Sequence, residues 1–485
     1  MAATALRLRR TERLRSRKLE WWVITCAPLA VSAIAFVWIL DSQLLRLYSV
    51  SAPSWDLGQT QQLLWSLANG YGWTSSFEYG HNFVGIHLEP ILLVIAGVER
   101  LWPSPVVPLV FSAVGIAAMA PAAMLMFRAF LPEGRGSTWL ALALSLPMPF
   151  WAATQQTAAE QFHPENMALA LAMLAVWAGL RAKPRLLWPL AILVLACKED
   201  QTYTAFVIGL VIWRAGPPAM RAHGRAVMVF AAIWLVLGVG LLEGLVRRTG
   251  YSPDIAYYWW IWSPGDRDFF LINVTRPEAW LVLAGLLLSL AGLPLLAPRW
   301  LLLMVPPLFA SLMSSHEAQG ELHLHYVLIL VFPLIVAGAF GARRLLEMPS
   351  IQARVAPTGF LAAAVPALTL GLIFGQVPPA LGADTWLYSR TPAVERLTAA
   401  EKVIPADAPV YADDGAAVWL ANRRQIQVLP SELPPDRYIV IDRQDWAHRK
   451  QAATARADTI ALLAATGRRL LFDDGRFQVW SPLGG

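Results

Sequence analysis

Apolar runs separated by short polar breaks fill most of the chain up to about residue 376. They lie at roughly 21–40, 86–101, 106–127, 138–154, 166–180, 186–197, 201–213, 226–246, 276–297, 300–314, 324–341 and 356–376. A straight membrane span needs about 20 such residues. Several of these runs are shorter and begin or end on polar groups, which points to helices that stop at an internal cavity rather than in lipid. Past Gln376-Val377-Pro378-Pro379 the pattern changes. Pro409–Ala412 reads as a strand, Gly415–Asn422 as a helix, Arg437–Asp442 as a strand and Thr454–Thr466 as a helix. Leu470–Trp480 reads as a hairpin around Asp473-Asp474-Gly475. The expected fold is an all-α polytopic membrane protein with a small C-terminal α/β domain. Its expected parts are a basic tail at 1–20, a transmembrane domain at 21–376 with an outer loop at 41–85, and the α/β domain at 377–485.

Composition supports the membrane reading. Of 485 residues, 56% are hydrophobic and 15% charged, and the mean hydropathy is +0.48; globular proteins carry about 25% charged residues. This excludes a disordered chain, a disulfide scaffold and a nucleic-acid-binding domain. The two cysteines, Cys26 and Cys197, both sit in apolar runs. The net charge of +6 comes almost wholly from the first 20 residues, where Arg7, Arg9, Arg10, Arg13, Arg15, Arg17 and Lys18 face only Glu12 and Glu20. A basic tail ahead of an apolar run is a cytoplasmic signal, as are Arg181-Ala182-Lys183-Pro184-Arg185, the stretch with Arg214, Arg221 and Arg225, and Arg343-Arg344. The breaks at 41–85, 155–165, 198–200, 247–275 and 315–323 then face outward. Even parity between the outward breaks requires that 86–101 does not fully cross, which leaves about 11 transmembrane helices and an extracytoplasmic C-terminal domain. That domain has no phosphate-binding motif and is expected to be dispensable for holding a lipid donor. The expected location is the cell membrane, multi-pass, with the N-terminus cytoplasmic.

Ionisable groups at membrane depth are costly and are functional candidates. Five groups of them fall on the outward breaks. Asp56 follows the first span and opens an amphipathic segment with Leu57, Leu64 and Leu67; a helix N-cap is its bland explanation. His87 and Glu89 lie at a membrane entrance and suit a metal, a phosphate or a proton. His163 and Glu165 flank Pro164 at the start of a span. Helix-dipole stabilisation accounts for Glu165 but not for His163. Lys198, Glu199 and Asp200 interrupt an apolar stretch, either as a self-satisfied turn or as a cavity wall with Lys198 open to a phosphate. Last come His323, His325 and Tyr326. Nearby, His316-Glu317-Ala318-Gln319-Gly320 has glycine where a zinc protease motif needs its second histidine, which disfavours a metalloprotease.

Asp56-Leu57-Gly58, the His87/Glu89/Pro90 stretch, Phe162-His163-Pro164-Glu165, Lys198-Glu199-Asp200 and His325-Tyr326 resemble, in order, the motifs of a prokaryotic integral membrane family known only as a domain of unknown function. That family is in turn similar to GT-C glycosyltransferases, which take a sugar from a polyprenyl-phosphate donor at the outer face. The resemblance implies glycosyl transfer, with Asp56 as base or metal ligand and His87, Glu89, His163 and Glu165 completing the catalytic site. It also implies a substrate-binding set of Lys198, Glu199, Asp200, His323, His325 and Tyr326, with Lys198 on the donor phosphate. The implied partners are the lipid bilayer and a polyprenyl-phosphate-linked sugar; a divalent metal ion is the one cofactor considered. A non-enzymatic transporter or binding protein for lipid-linked sugar or polysaccharide is the alternative, and a structural membrane partner a third. A transporter is expected to show related halves, and no internal repeat is present.

Overall fold

The computed structural model describes residues 2–250, 257–261, 268–348, 357–389, 393–430, 433–444 and 453–484. Helices build the body of the molecule. In chain order they begin with α1 (Ala2–Tyr48), α2 (Gln59–Ala68), α3 (Leu92–Glu99), α4 (Val106–Ala117) and α5 (Met119–Phe130). There follow α6 (Arg135–Ser145), α7 (Ala152–Ala159), α8 (Glu165–Leu180), α9 (Pro184–Cys197), α10 (Gln201–Ala215) and α11 (Arg221–Trp234). After these come a bent pair, α12 (Phe269–Thr275) and α13 (Pro277–Ser289), and then α14 (Leu328–Leu346).

Among the described residues, four helical stretches are long and apolar enough to cross a membrane: Ile24–Tyr48, Val106–Phe130, Pro218–Arg247 and Glu317–Leu346. The α12–α13 pair, bent by 56°, makes a fifth if it is one span. Glu165–Leu180, Pro184–Cys197, Pro298–Leu312 and Thr358–Phe374 are apolar but shorter. Long, clear spans are therefore fewer than the eleven crossings expected. The reason is physical: α8, with 16 residues, reaches only about 24 Å at 1.5 Å per residue, against a hydrocarbon core of about 30 Å. The 86–101 run contributes only the eight-residue α3.

One apolar core joins α5, α6 and α8 to α11 with α14. Helix α8 sits at its centre and buries most of its residues. Its first turn meets α4 at Gly115, where a Cβ would stand 2.6 Å from the Asn166 carbonyl oxygen. Only glycine allows that approach, and it holds the start of α8 in place.

The break between α7 and α8 leaves carbonyls that no helix satisfies. At this depth they need internal donors. Gln43 on α1 donates to Ala158 O at 3.2 Å and to Gln161 O at 2.5 Å, Ser112 Oγ donates to Gln161 O at 2.9 Å, and Arg46 donates to Ala159 O. Asn166 in turn holds Ser112 at 2.9 Å.

The C-terminal sheet contains β1 (Val410–Ala412), β2 (Ile426–Val428), β3 (Tyr438–Asp442), β4 (Leu470–Asp473) and β5 (Phe477–Trp480), in the order β2-β1-β3-β5-β4. β1 runs parallel to β2 and β3, and β5 is antiparallel to β3 and β4. Helices α15 (Ala393–Glu401), α16 (Asp414–Trp419) and α17 (Ala453–Ala465) accompany it.

This unit is not a loosely tethered module. It sits on the segment that follows α1. Trp419 Nε1 donates to Leu47 O at 2.9 Å, Arg476 Nη2 to Ser49 O at 2.9 Å, and Gln62 Nε2 to Arg423 O at 3.0 Å. Asp414 accepts from both the backbone N–H and the hydroxyl of Ser54. Gly415 packs against Val50, where a Cβ would lie 2.0 Å from the carbonyl oxygen.

Candidate functional site

Five interruptions in the helices gather at one place: the turn after α1, the loop before α3, the α7–α8 break, the α9–α10 break and the segment before α14. The first is a π-helical turn, Ser54–Gly58, with Asp56 in its middle. Asp56 therefore is not the helix cap that its position suggests; Gly58 precedes α2. A wide π turn aims its side chains away from the line of the following helix, and such turns are frequent at functional sites.

Asp56 Oδ1 lies 3.6 Å from His163 Nε2. The same nitrogen is 3.2 Å from Glu160 Oε2, and Glu160 Oε2 is 2.7 Å from His325 Nδ1. The His163 and His325 rings stack with centroids 3.9 Å apart. Tyr326 stands beside His325 at 4.1 Å between ring centroids. Non-glycine residues flank this group in left-handed backbone: Gln161 (φ 81°), Leu322 (φ 56°) and Leu324 (φ 60°). Each such conformation costs of order 1–3 kcal/mol and persists where the surroundings enforce it, commonly at functional sites.

A second group adjoins the first. Helix α9 stops at Cys197 because Lys198 is extended (φ −165°, ψ 159°), and α10 restarts at Gln201. Lys198 Nζ pairs with Glu165 Oε1 at 2.6 Å, both side chains buried. Lys198 is thus not an unpaired cation: its charge has a carboxylate partner from another helix. Glu199 takes His87 Nδ1 at 2.8 Å and the Leu88 N–H at 3.1 Å. Asp200 accepts from Gln201 at 2.9 Å. Glu89 is buried within electrostatic reach of Lys198. His323 stands aside: its Nε2 is 3.4 Å from Gln376 Nε2. It occupies the N-cap position of the short 3-10 turn Leu324–Val327 without a side-chain capping bond. The two groups open to solvent at Asp56 and His87, whose side chains keep 29% and 35% exposure, and at Asp200, which is exposed.

Burial raises the Asp56 carboxyl to about 7, and the nearby Asp414 carboxylate adds to the effect. Burial lowers the His163 imidazole to about 3. Glu199 goes the other way from Asp56. Burial opposes its charge, but His87 and Lys198 hold it down to about 2. The site thus combines carboxyls of opposite tendency in a few ångströms.

Three contributors escape a reading of the sequence. Glu160 lies two residues ahead of the Phe162-His163-Pro164-Glu165 motif, yet Glu160 and His163 form a Glu-x-x-His pair, a pattern known from metal sites in helical bundles. Arg46, near the end of α1, buries its guanidinium beside Asp56 and Glu160. Asp414 arrives from the other end of the chain, which no local pattern signals.

These features define a polytopic helical membrane protein with a buried acid–histidine centre beneath a small α/β cap. Residues 46–459 match the family described as predicted membrane protein (DUF2079), and the chain belongs to that family. Among solved structures it is similar to ArnT from Cupriavidus metallidurans in the apo state, with 11% identity over 92% of this chain and 97% of that one and a TM-score of 0.49. It is also similar to the same protein bound to undecaprenyl phosphate, with 13% identity over 95% and 97% and a TM-score of 0.43. No curated protein matches the chain.

Proposed function

We propose that the protein is a membrane glycosyltransferase that moves a sugar from a polyprenyl-phosphate donor to an acceptor hydroxyl at the outer face of the cell membrane. The observation that carries this reading is the position of Asp56. It is a partly exposed carboxylate directly after the first span, set against buried histidines and beside a buried Lys198–Glu165 pair. In this reading Asp56 takes the proton of the acceptor hydroxyl. The acceptor oxygen bonds to the anomeric carbon, the bond from that carbon to the phosphate oxygen breaks, and the lipid phosphate leaves as an anion. Lys198 faces the phosphate and shares its charge with Glu165, while His87 and Glu199 line the entrance. Glu89, Asp200 and Tyr326 complete the polar wall. The C-terminal domain lies on the same side as Asp56 and covers it, so it is extracytoplasmic in this reading.

The test is transfer by the purified full-length protein in liposomes, using a panel of radiolabelled polyprenyl-phosphate sugars and a mixed glycan acceptor. Wild type is expected to release lipid phosphate and label the acceptor. Asp56→Asn is expected to lose about 10²-fold or more of that rate, as removal of a general base does. Equal rates for the two proteins would remove Asp56 from the chemistry. Movement of intact labelled lipid across the bilayer without transfer would favour a transporter instead.

A further inference from the structure

We propose that Glu160, His163 and His325 form a binding site for one divalent transition-metal ion of the zinc class. One ligand atom from each lies within 4.8 Å of the others. Three separate elements supply them: the end of α7, the loop before α8 and the short turn before α14.

Glu160 Oε2 and His325 Nδ1 hydrogen-bond to each other at 2.7 Å, but that bond leaves two atoms of the group unsatisfied. Glu160 Oε1 and His163 Nε2 are both buried without a hydrogen-bond partner, in residues more than nine-tenths buried. An unpaired buried carboxylate oxygen and an unpaired imidazole nitrogen are expensive side by side. A cation held between them removes both costs. Ligand atoms around a tetrahedral zinc stand about 3.3 Å apart when each is about 2.0–2.1 Å from the ion. His163 Nε2 and Glu160 Oε2 are at 3.2 Å. Glu160 Oε2 and His325 Nδ1, at 2.7 Å, need to open by a few tenths of an ångström, and one of the two stacked imidazoles has to turn so that both ring nitrogens aim at the ion.

The donor set decides the class of metal. Two imidazoles with one carboxylate suit zinc, cobalt or nickel; magnesium and calcium favour all-oxygen shells. Three protein ligands is the count found in zinc centres that keep a position open, and Asp56 borders that position at 3.6 Å from His163 Nε2. The strained backbone at Gln161, Leu322 and Leu324 fits ligands held in a fixed arrangement. The inference deepens the transferase reading of this site, but its test reads metal rather than sugar transfer.

The full-length protein in detergent would be stripped with a chelator, dialysed against Zn²⁺ and then freed of loose metal, and its zinc counted by mass spectrometry. About one zinc per chain is expected. Glu160→Gln and His325→Ala are expected to bind at least about tenfold more weakly, whereas His323→Ala keeps its zinc. Because a variant can fail to fold, wild type loaded with Co²⁺ supplies a second readout. Visible absorption bands of four- or five-coordinate cobalt with nitrogen ligands are expected, bleached by added Zn²⁺. No bound metal in wild type, or variants that bind as wild type does, would overturn the site. Zinc bound without any sugar transfer would remove the transferase reading and leave the metal site standing. Transfer that proceeds in wild type shown to hold no metal would do the reverse.

Discussion

Lys198 shows how far single residues can be read. Its placement inside an apolar stretch marks it as unusual, and the need for a partner follows from the cost of an ammonium at that depth. Which partner it finds depends on α8 packing beside α9, and the answer is Glu165 at 2.6 Å. Breaking a buried pair by deleting one charge typically costs about 3–5 kcal/mol, while replacing both is often close to neutral. Lys198→Met is therefore expected to lower the melting temperature of the detergent-solubilised protein clearly, and Lys198→Met with Glu165→Gln to recover most of the loss. A double variant as unstable as the single one would show that the two side chains do not support each other. The same limit explains Glu160. Its Glu-x-x-His spacing with His163 is visible in the sequence, but His325, the group that gives the pair its meaning, is 165 residues away.

Among the secondary-structure elements, the C-terminal α/β unit was the most legible. Strands β1 and β3, the β4–β5 hairpin and helices α16 and α17 follow directly from alternation, a helical period and the Asp-Gly turn. Two elements were missed. β2 is only three residues long, Ile426–Val428, and gains its structure by pairing with β1. α15 buries mostly small residues, Ala393 and Ala400 with Leu397, so its apolar face is faint. The membrane helices were legible as apolar runs, but their breaks were not, because a break depends on which neighbour satisfies the freed carbonyls. Close packing makes a sharper prediction at Gly415. Gly415→Ala puts a Cβ against the Val50 carbonyl, and overpacking of this kind costs about 1–3 kcal/mol. The substitution is expected to loosen α16 from the segment after α1 and to speed proteolysis of the C-terminal unit in the full-length protein. Gly97→Ala, whose Cβ would meet nothing within 4 Å, is the control and is expected to leave cleavage unchanged. Equal cleavage of both variants would mean that the Val50 contact does not seat the domain.

The whole molecule couples its two ends. Asp414 and Arg476 from the C-terminal unit bond to Ser54 and Ser49 just after the first span, and Asp56 lies between that cap and the helical core. Removal of the C-terminal unit would strip the π turn carrying Asp56 of its Ser54–Asp414 contact. The arrangement also makes the central claim a geometric one: a lipid phosphate has to reach the cluster formed by Asp56, Lys198 and His163 from the membrane, under the α/β cap. The most direct measurement is an electron cryo-microscopy structure of the full-length protein in nanodiscs with a short-chain polyprenyl phosphate. The account predicts phosphate density within hydrogen-bond reach of Lys198, about 2.7–3.2 Å, next to Asp56. Phosphate density on a helix face away from these residues, with the Asp56 cluster closed and unchanged, would contradict it.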